Sequence, residues 1–309
     1  MFSWDGITFQ VPSTWNLSVY KFIKKLTRIE FEDDYTIRLE AEWMRPKGEL
    51  DVEKVQRRYK LQSQKLTKDA ERVVALEDLP LGWVASKYSL AEEQELVTAI
   101  FMEPDSRLFA FFIIYFEPED KESPEEVIRT LSNTFVIQEG DTRSWQLYDI
   151  DLSTPADFEL VDTDFQTGLK KMTFRWERRR FMIAFVNLAD MVLKKHSQDE
   201  WLVRFLNSSR FARSGYFYPK DSGIEFRRRK RHKFGHIEEI FRRCALYQWG
   251  CIHDEGSNLL VPWVVNYRKP SDMERLKAIL INGNQGIRNV GKDQPRAIEL
   301  RRQNERGQK

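Results

Sequence analysis

The chain writes one pattern twice. The stretch "ITFQVPSTWNL" (residues 7–17) returns as "IDLSTPADFEL" (150–160). At one constant offset and without a gap, Ile7 falls on Ile150, Phe9 on Leu152, Pro12 on Pro155, Trp15 on Phe158 and Leu17 on Leu160. The same register then joins Phe22 to Phe165, Leu26 to Leu169, Ile29 to Met172 and Phe31 to Phe174. The shared positions are mostly apolar and alternate, which is the period of a strand with one buried face. Each proline lies between two such runs, where a missing N–H removes no ladder bond. Whatever fold one half adopts, the other half carries the same buried-face code.

Later segments correspond with insertions. "YTIRLEAEW" (35–43) matches "RFMIAFVN" (180–187), and the helical stretch "LDVEKVQRRYKLQSQKL" (50–66) matches "LADMVLKKHSQDEWLVRFLN" (188–207). "LFAFFIIYFEPEDKESPEEVIRTLSN" (108–133) matches "LLVPWVVNYRKPSDMERLKAILIN" (259–282). In both of these an apolar strand runs into a Pro-containing turn and a helix, with Ser123 or Ser271 as the N-cap. The runs 82–90, 95–102 and 107–116 predict an antiparallel meander. The last is apolar at both parities, which predicts helices over both faces of the sheet. The expected fold class is α+β: tandem duplicated domains, each a mostly antiparallel sheet sandwiched between helices. The domains would cover residues 1–140 and 141–284, followed by a flexible basic tail over 285–309.

A strand, the "VPSTW" corner, a short strand and an alternating pair ending in "EAEW" resembles the PsbP-like superfamily. That family includes DcrB-type bacterial proteins and the nuclear-import factor that binds the Ran GTPase. The resemblance runs from "ITFQVPSTW" through "EAEW" in the first copy; in the second the tryptophan is replaced by Phe158. It implies an α/β/α sandwich used for binding or assembly, and it brings no catalytic residues.

A length of 309 residues agrees with two domains. With 41% hydrophobic and 32% charged residues the chain can bury a core and is not of disordered composition. No apolar run approaches the ~20 residues a membrane-crossing helix needs, so no membrane insertion is expected. "MFSWDGITFQ" has neither the basic start nor the apolar stretch of a secretory signal. Two cysteines give no disulfide framework, and a cytoplasmic location follows as the expectation.

Charge divides the halves. Residues 1–140 hold 18 Lys+Arg against 26 Asp+Glu, so the excess of cations lies in residues 141–309. The densest run is "RRRKRHK" (227–233). It follows "SGIEF", whose alternation predicts a strand, so the run would extend along an edge hairpin. Arg227, Arg228, Arg229, Lys230, Arg231 and Lys233, with Arg301 and Arg302 of the tail, are the candidate polyanion-binding residues. Phe217, Tyr218 and Phe234 could stack on bases, although core or hairpin packing is the commoner role for such aromatics. Lysine and arginine on an edge strand also serve simply to block sheet-to-sheet association.

His232, His236, Cys244, Cys251 and His253 supply zinc-type ligands within one short segment. Cys251 and His253, two apart, would share a strand face; no CxxC is present, and the other spacings fit no standard zinc module. Nucleotide-binding, nucleophile-elbow and metalloprotease motifs are likewise missing from the sequence. The acidic run "EPEDKESPEE" (117–126) reads as solvated charge at a turn and helix start. The expectation is therefore a cytoplasmic non-enzymatic adaptor or assembly factor binding a protein partner. Nucleic-acid or other polyanion binding through 227–233 and the tail is the alternative.

Overall fold

In the computed structural model the described residues are 1–23, 26–45, 51–103, 108–147, 150–212, 214–220, 223–228, 241–281 and 285–286. The chain divides into two units: Met1–Ser3 with Ile7–Ile137, and Trp4–Gly6 with everything from Gln138 onward.

The first unit contains β1 (Phe2–Trp4, shared at its end with the second), β2 (Ile7–Phe9), β3 (Asn16–Ile23), β4 (Leu26–Glu32) and β5 (Ile37–Met44). There follow α1 (Val52–Leu66), β6 (Arg72–Leu76), β7 (Trp83–Ser89), β8 (Glu95–Glu103), β9 (Leu108–Phe116), α2 (Pro124–Thr134) and β10 (Val136–Ile137). Seven strands make an antiparallel sheet in the order β3-β4-β5-β9-β8-β7-β6. Strand alternation puts Ile29, Phe31, Leu39, Ala41, Trp43 and Phe112 on its inner face, all buried. Phe9 closes on that face, its ring centroid 6.0 Å from that of Phe112. The buried side of α2, Val127, Ile128 and Leu131, adds to this core. Ser123 caps α2 and Pro124 opens it, as the sequence predicts.

The second unit contains β11 (Thr142–Leu147), β12 (Ile150–Pro155), β13 (Glu159–Gln166), β14 (Leu169–Trp176), β15 (Arg179–Asn187), α3 (Ala189–Leu193) and α4 (Gln198–Ser208). Then come β16 (Gly215–Lys220), β17 (Gly223–Arg228), β18 (Leu246–Asp254), β19 (Leu259–Tyr267), α5 (Met273–Leu276), β20 (Leu280–Ile281) and β21 (Gln285–Gly286). Its main sheet has the order β13-β14-β15-β19-β18. Strand for strand this repeats β3-β4-β5-β9-β8.

The likeness reaches single hydrogen bonds. The Trp15 N–H donates to the Pro12 carbonyl over 3.1 Å, and the Phe158 N–H donates to that of Pro155 over 3.0 Å. One bulge interrupts β3 between Leu17 and Val19, and another interrupts β13 between Leu160 and Asp162. Those are corresponding positions in the repeat. A bulge strengthens the local twist, so both hairpins bend at the same point, just after the corner aromatic.

The sequence-based class needs correction: each unit is mainly β, and its sheet is not sandwiched between helices. β9 is apolar at both parities, but what covers it differs from the expectation. One parity meets Phe9 of β2 and Trp83 of β7 as well as the end of α2. On the other parity Phe111 meets Tyr59 of α1 at 5.4 Å. The same face on β4 and β5 carries Arg28, Glu30, Glu40 and Glu42 in place of a second helix. In the second unit the outer face is covered by α4 together with a hairpin, β16–β17. The segment 188–207, read as one helix, is two, with a Ser197–Glu200 capping box starting the second. Ser271 caps nothing; it lies inside the 3-10 turn Pro270–Asp272 that leads to the four residues of α5.

Candidate binding surfaces

The β16–β17 hairpin pairs Tyr216 with Arg227, Phe217 with Phe226, Tyr218 with Glu225 and Lys220 with Gly223. Period two sorts these residues onto two faces. Inward, Phe217 and Phe226 are buried with Tyr247, Leu202 and Leu206, and Phe217 meets Trp249 edge-on at 5.0 Å. Asn207 of α4 pins the strand: its amide donates to the Phe217 carbonyl and accepts from the Phe217 N–H, both at 2.8 Å. Gly215 is required here, since a Cβ would sit 2.3 Å from the Phe226 ring and 2.4 Å from the Arg227 carbonyl.

Outward, Tyr216 is 39% exposed, and its ring centroid lies 6.1 Å from that of Tyr218. The Arg227 guanidinium carbon stands 4.0 Å from the Tyr218 centroid, a cation–π contact. Lys220 approaches Glu225 at 3.5 Å. Of the predicted polyanion-binding residues, Arg227 is therefore placed, and the backbone of Arg228 pairs with Gly215. Arg229, Lys230, Arg231, Lys233, Arg301 and Arg302 lie outside the described residues, as does Phe234. Phe217, which could have stacked on bases, is core, the commoner reading for such an aromatic. Tyr216 was overlooked, although its place two residues before Tyr218 in a strand was the available signal.

The Cys/His candidates do not converge where they are described. Cys244 is buried, its thiol within 3.4 Å of the Arg178 carbonyl and 3.3 Å of that of Arg242. Cys251 and His253 lie on β18, and at about 3.3 Å per residue Cys244 is on the order of 20 Å away from Cys251 along the chain. Burial raises the Cys244 thiol pKa and pushes that of Cys251 up to about 12. Metal ligation uses the thiolate, so both environments oppose it. His232 and His236 lie outside the described residues. Among the described residues no group of three or more His, Cys, Asp or Glu is arranged to hold a metal ion.

The first unit presents a different surface. On the outer face of β4 and β5, Arg28 reaches Glu40 at 2.6 Å, Glu30 at 3.0 Å and Glu42 at 3.6 Å. The Tyr115 hydroxyl donates to Glu40 at 2.7 Å; burial first, and then that carboxylate, raise the Tyr115 pKa. Beside it, Lys54, Arg57, Arg58 and Lys65 of α1 line a hollow of about 390 Å³ with Leu61 and Gln62. In the second unit Met182 takes the place of Glu40 and is buried under α4 and the hairpin, while Lys171 takes the place of Arg28 and pairs with Asp164 at 2.8 Å. Val264 matches Ile113, and both are buried.

Each unit also carries an arginine–aspartate lock. Arg38 donates twice to Asp120, and Arg179 twice to Asp272. Both aspartates sit in a Pro-x-Asp turn after the central strand and accept from backbone as well: Asp120 from the Glu117 N–H, Asp272 from those of Arg268 and Lys269. Asp120 belongs to the acidic run read as solvated, and that reading is corrected here.

No protein-family model and no curated protein matches this sequence. Among the described residues, no helix is long and apolar enough to cross a membrane.

Proposed function

We propose that the chain is a non-enzymatic adaptor or assembly factor that engages protein partners through two related β units. One observation carries this reading: the units keep one strand order and one corner but dress part of the equivalent outer face differently. In the first unit Arg28, Glu30, Glu40 and Glu42 form a network on β4 and β5; at the same positions the second unit has Lys171, Thr173, Met182 and Ala184, with Met182 buried under α4 and the hairpin. A shared core under divergent surfaces gives two different contacts held at raised effective concentration. The two unpaired thiols suit a reducing, cytoplasmic setting. The test is affinity capture from native lysate with the intact chain and with a Glu30→Gln/Glu42→Gln variant. A stoichiometric protein partner retained by the first and released by the second supports the reading. Capture of no stoichiometric partner overturns it.

Polyanion binding is the second reading, supported by Arg227 lying over Tyr218 at the head of the basic run. It requires affinity that falls steeply with salt, and a shallower slope once Arg227 is neutralised.

A further inference from the structure

We propose that the outward face of the β16–β17 hairpin binds single-stranded nucleic acid, with bases stacking on Tyr216 and against the Arg227–Tyr218 pair. The inference rests on the polyanion reading and gives it a substrate class. Phe217 and Phe226 hold the hairpin to its unit, which leaves Tyr216, Tyr218, Lys220 and Arg227 together on the opposite face. The two tyrosine centroids lie 6.1 Å apart. Arg227, 4.0 Å above Tyr218, covers one ring with a flat cation, and bases stack on guanidinium planes as well as on aromatic rings. A duplex keeps its base faces inside its own stack, whereas an unpaired strand can offer them to such a platform. Lys220 and Arg227 supply positive charge that complements a phosphate backbone. Glu225 is the opposing charge on this face, 3.5 Å from Lys220 and 4.0 Å from Arg227.

The experiment is fluorescence anisotropy at low salt with the full chain and three labelled probes. These are an oligothymidylate, an abasic oligonucleotide of the same length and charge, and a duplex. The expected result is a preference for the oligothymidylate over the abasic strand of about tenfold or more. Tyr216→Ala should remove most of that preference and leave abasic binding unchanged, while Tyr216→Phe retains it. Glu225→Gln should tighten both. Equal affinity for the thymidylate and abasic strands overturns stacking but keeps phosphate binding, as does an equal loss on both strands with Tyr216→Ala. Tighter binding of the duplex overturns the single-strand assignment. Binding to none of the probes ends the inference and the polyanion reading together.

Discussion

Arg179 meets Asp272 through two roughly parallel hydrogen bonds, Nη2 to Oδ1 at 2.8 Å and Nε to Oδ2 at 3.1 Å, with both side chains nearly buried. Arg38 and Asp120 repeat the arrangement at 2.6 and 2.7 Å. Each pair ties the start of one central strand to the turn that leaves its neighbour. A bidentate fork is directional, so it fixes the exit path of the chain as well as contributing attraction.

Removing Asp272 frees two turn N–H groups and leaves the nearly buried Arg179 to the exposed Glu177, so Asp272→Ala should cost about 3 kcal/mol in urea unfolding. Asp120→Ala should cost less, because Asp33 still holds the Arg38 Nε. The double replacement Arg179→Met/Asp272→Leu should cost much less, because no charge is left behind. Single replacements that cost under about 1 kcal/mol would show that the lock is solvated.

The lock also sets an acid limit. Burial pushes the Asp272 carboxyl pKa upward, but the Arg179 fork and the N–H groups of Lys269 and Arg268 outweigh it, and the net direction is down. A depressed carboxylate stabilises the fold fully above its unfolded value near about 3.9. That contribution fades as pH falls toward and through the lower folded value. Urea midpoints measured from about pH 5 downward should therefore fall more steeply for the natural chain than for Asp272→Asn. Parallel curves would refute the assignment.

The repeated corner can be weighed in the second unit. The Phe158 ring stacks on Trp176 at 4.4 Å and 6° and is fully buried. Phe158→Ala should cost about 3–5 kcal/mol, read from chemical denaturation, whereas Phe158→Trp, which restores the residue of the first copy, tests whether the pocket tolerates added volume.

The thiols should be inert while the chain is folded. With its pKa pushed up to about 12, Cys251 carries little thiolate near neutrality. Iodoacetamide labelling followed by peptide mass spectrometry should find Cys244 and Cys251 unmodified until denaturant is added. Rapid labelling of Cys244 in the native protein would contradict its burial, and rapid labelling of the half-buried Cys251 would contradict its raised pKa.

The duplication was legible because a buried strand face is written locally, every second residue. Ile29 and Phe31 speak for themselves, and so do Met172 and Phe174. What covers a face is written elsewhere in the chain. The two apolar parities of β9 required cover but did not say that strands and a hairpin would supply much of it, so helical layers were expected where Phe9 and, in the repeat, Phe217 and Phe226 took part. The locks escaped notice for the same reason: Arg38 and Asp120 stand 82 residues apart, Arg179 and Asp272 stand 93 apart. A charged residue in a turn looks solvated until its distant partner is known. On the hairpin, alternation was enough to part Tyr216 and Tyr218 from Phe217. Which face pointed inward depended on Asn207 and α4.

The grouping of Trp4–Gly6 with the second unit has a genetic corollary. Trp4 is fully buried there, edge-on to Trp145 at 5.2 Å and to Phe165 at 6.0 Å. A gene trimmed to start at Gln138 would encode every strand of the second sheet yet omit one of its largest core rings. During synthesis that ring emerges about 140 residues ahead of Trp145, so it must wait before its own neighbours exist.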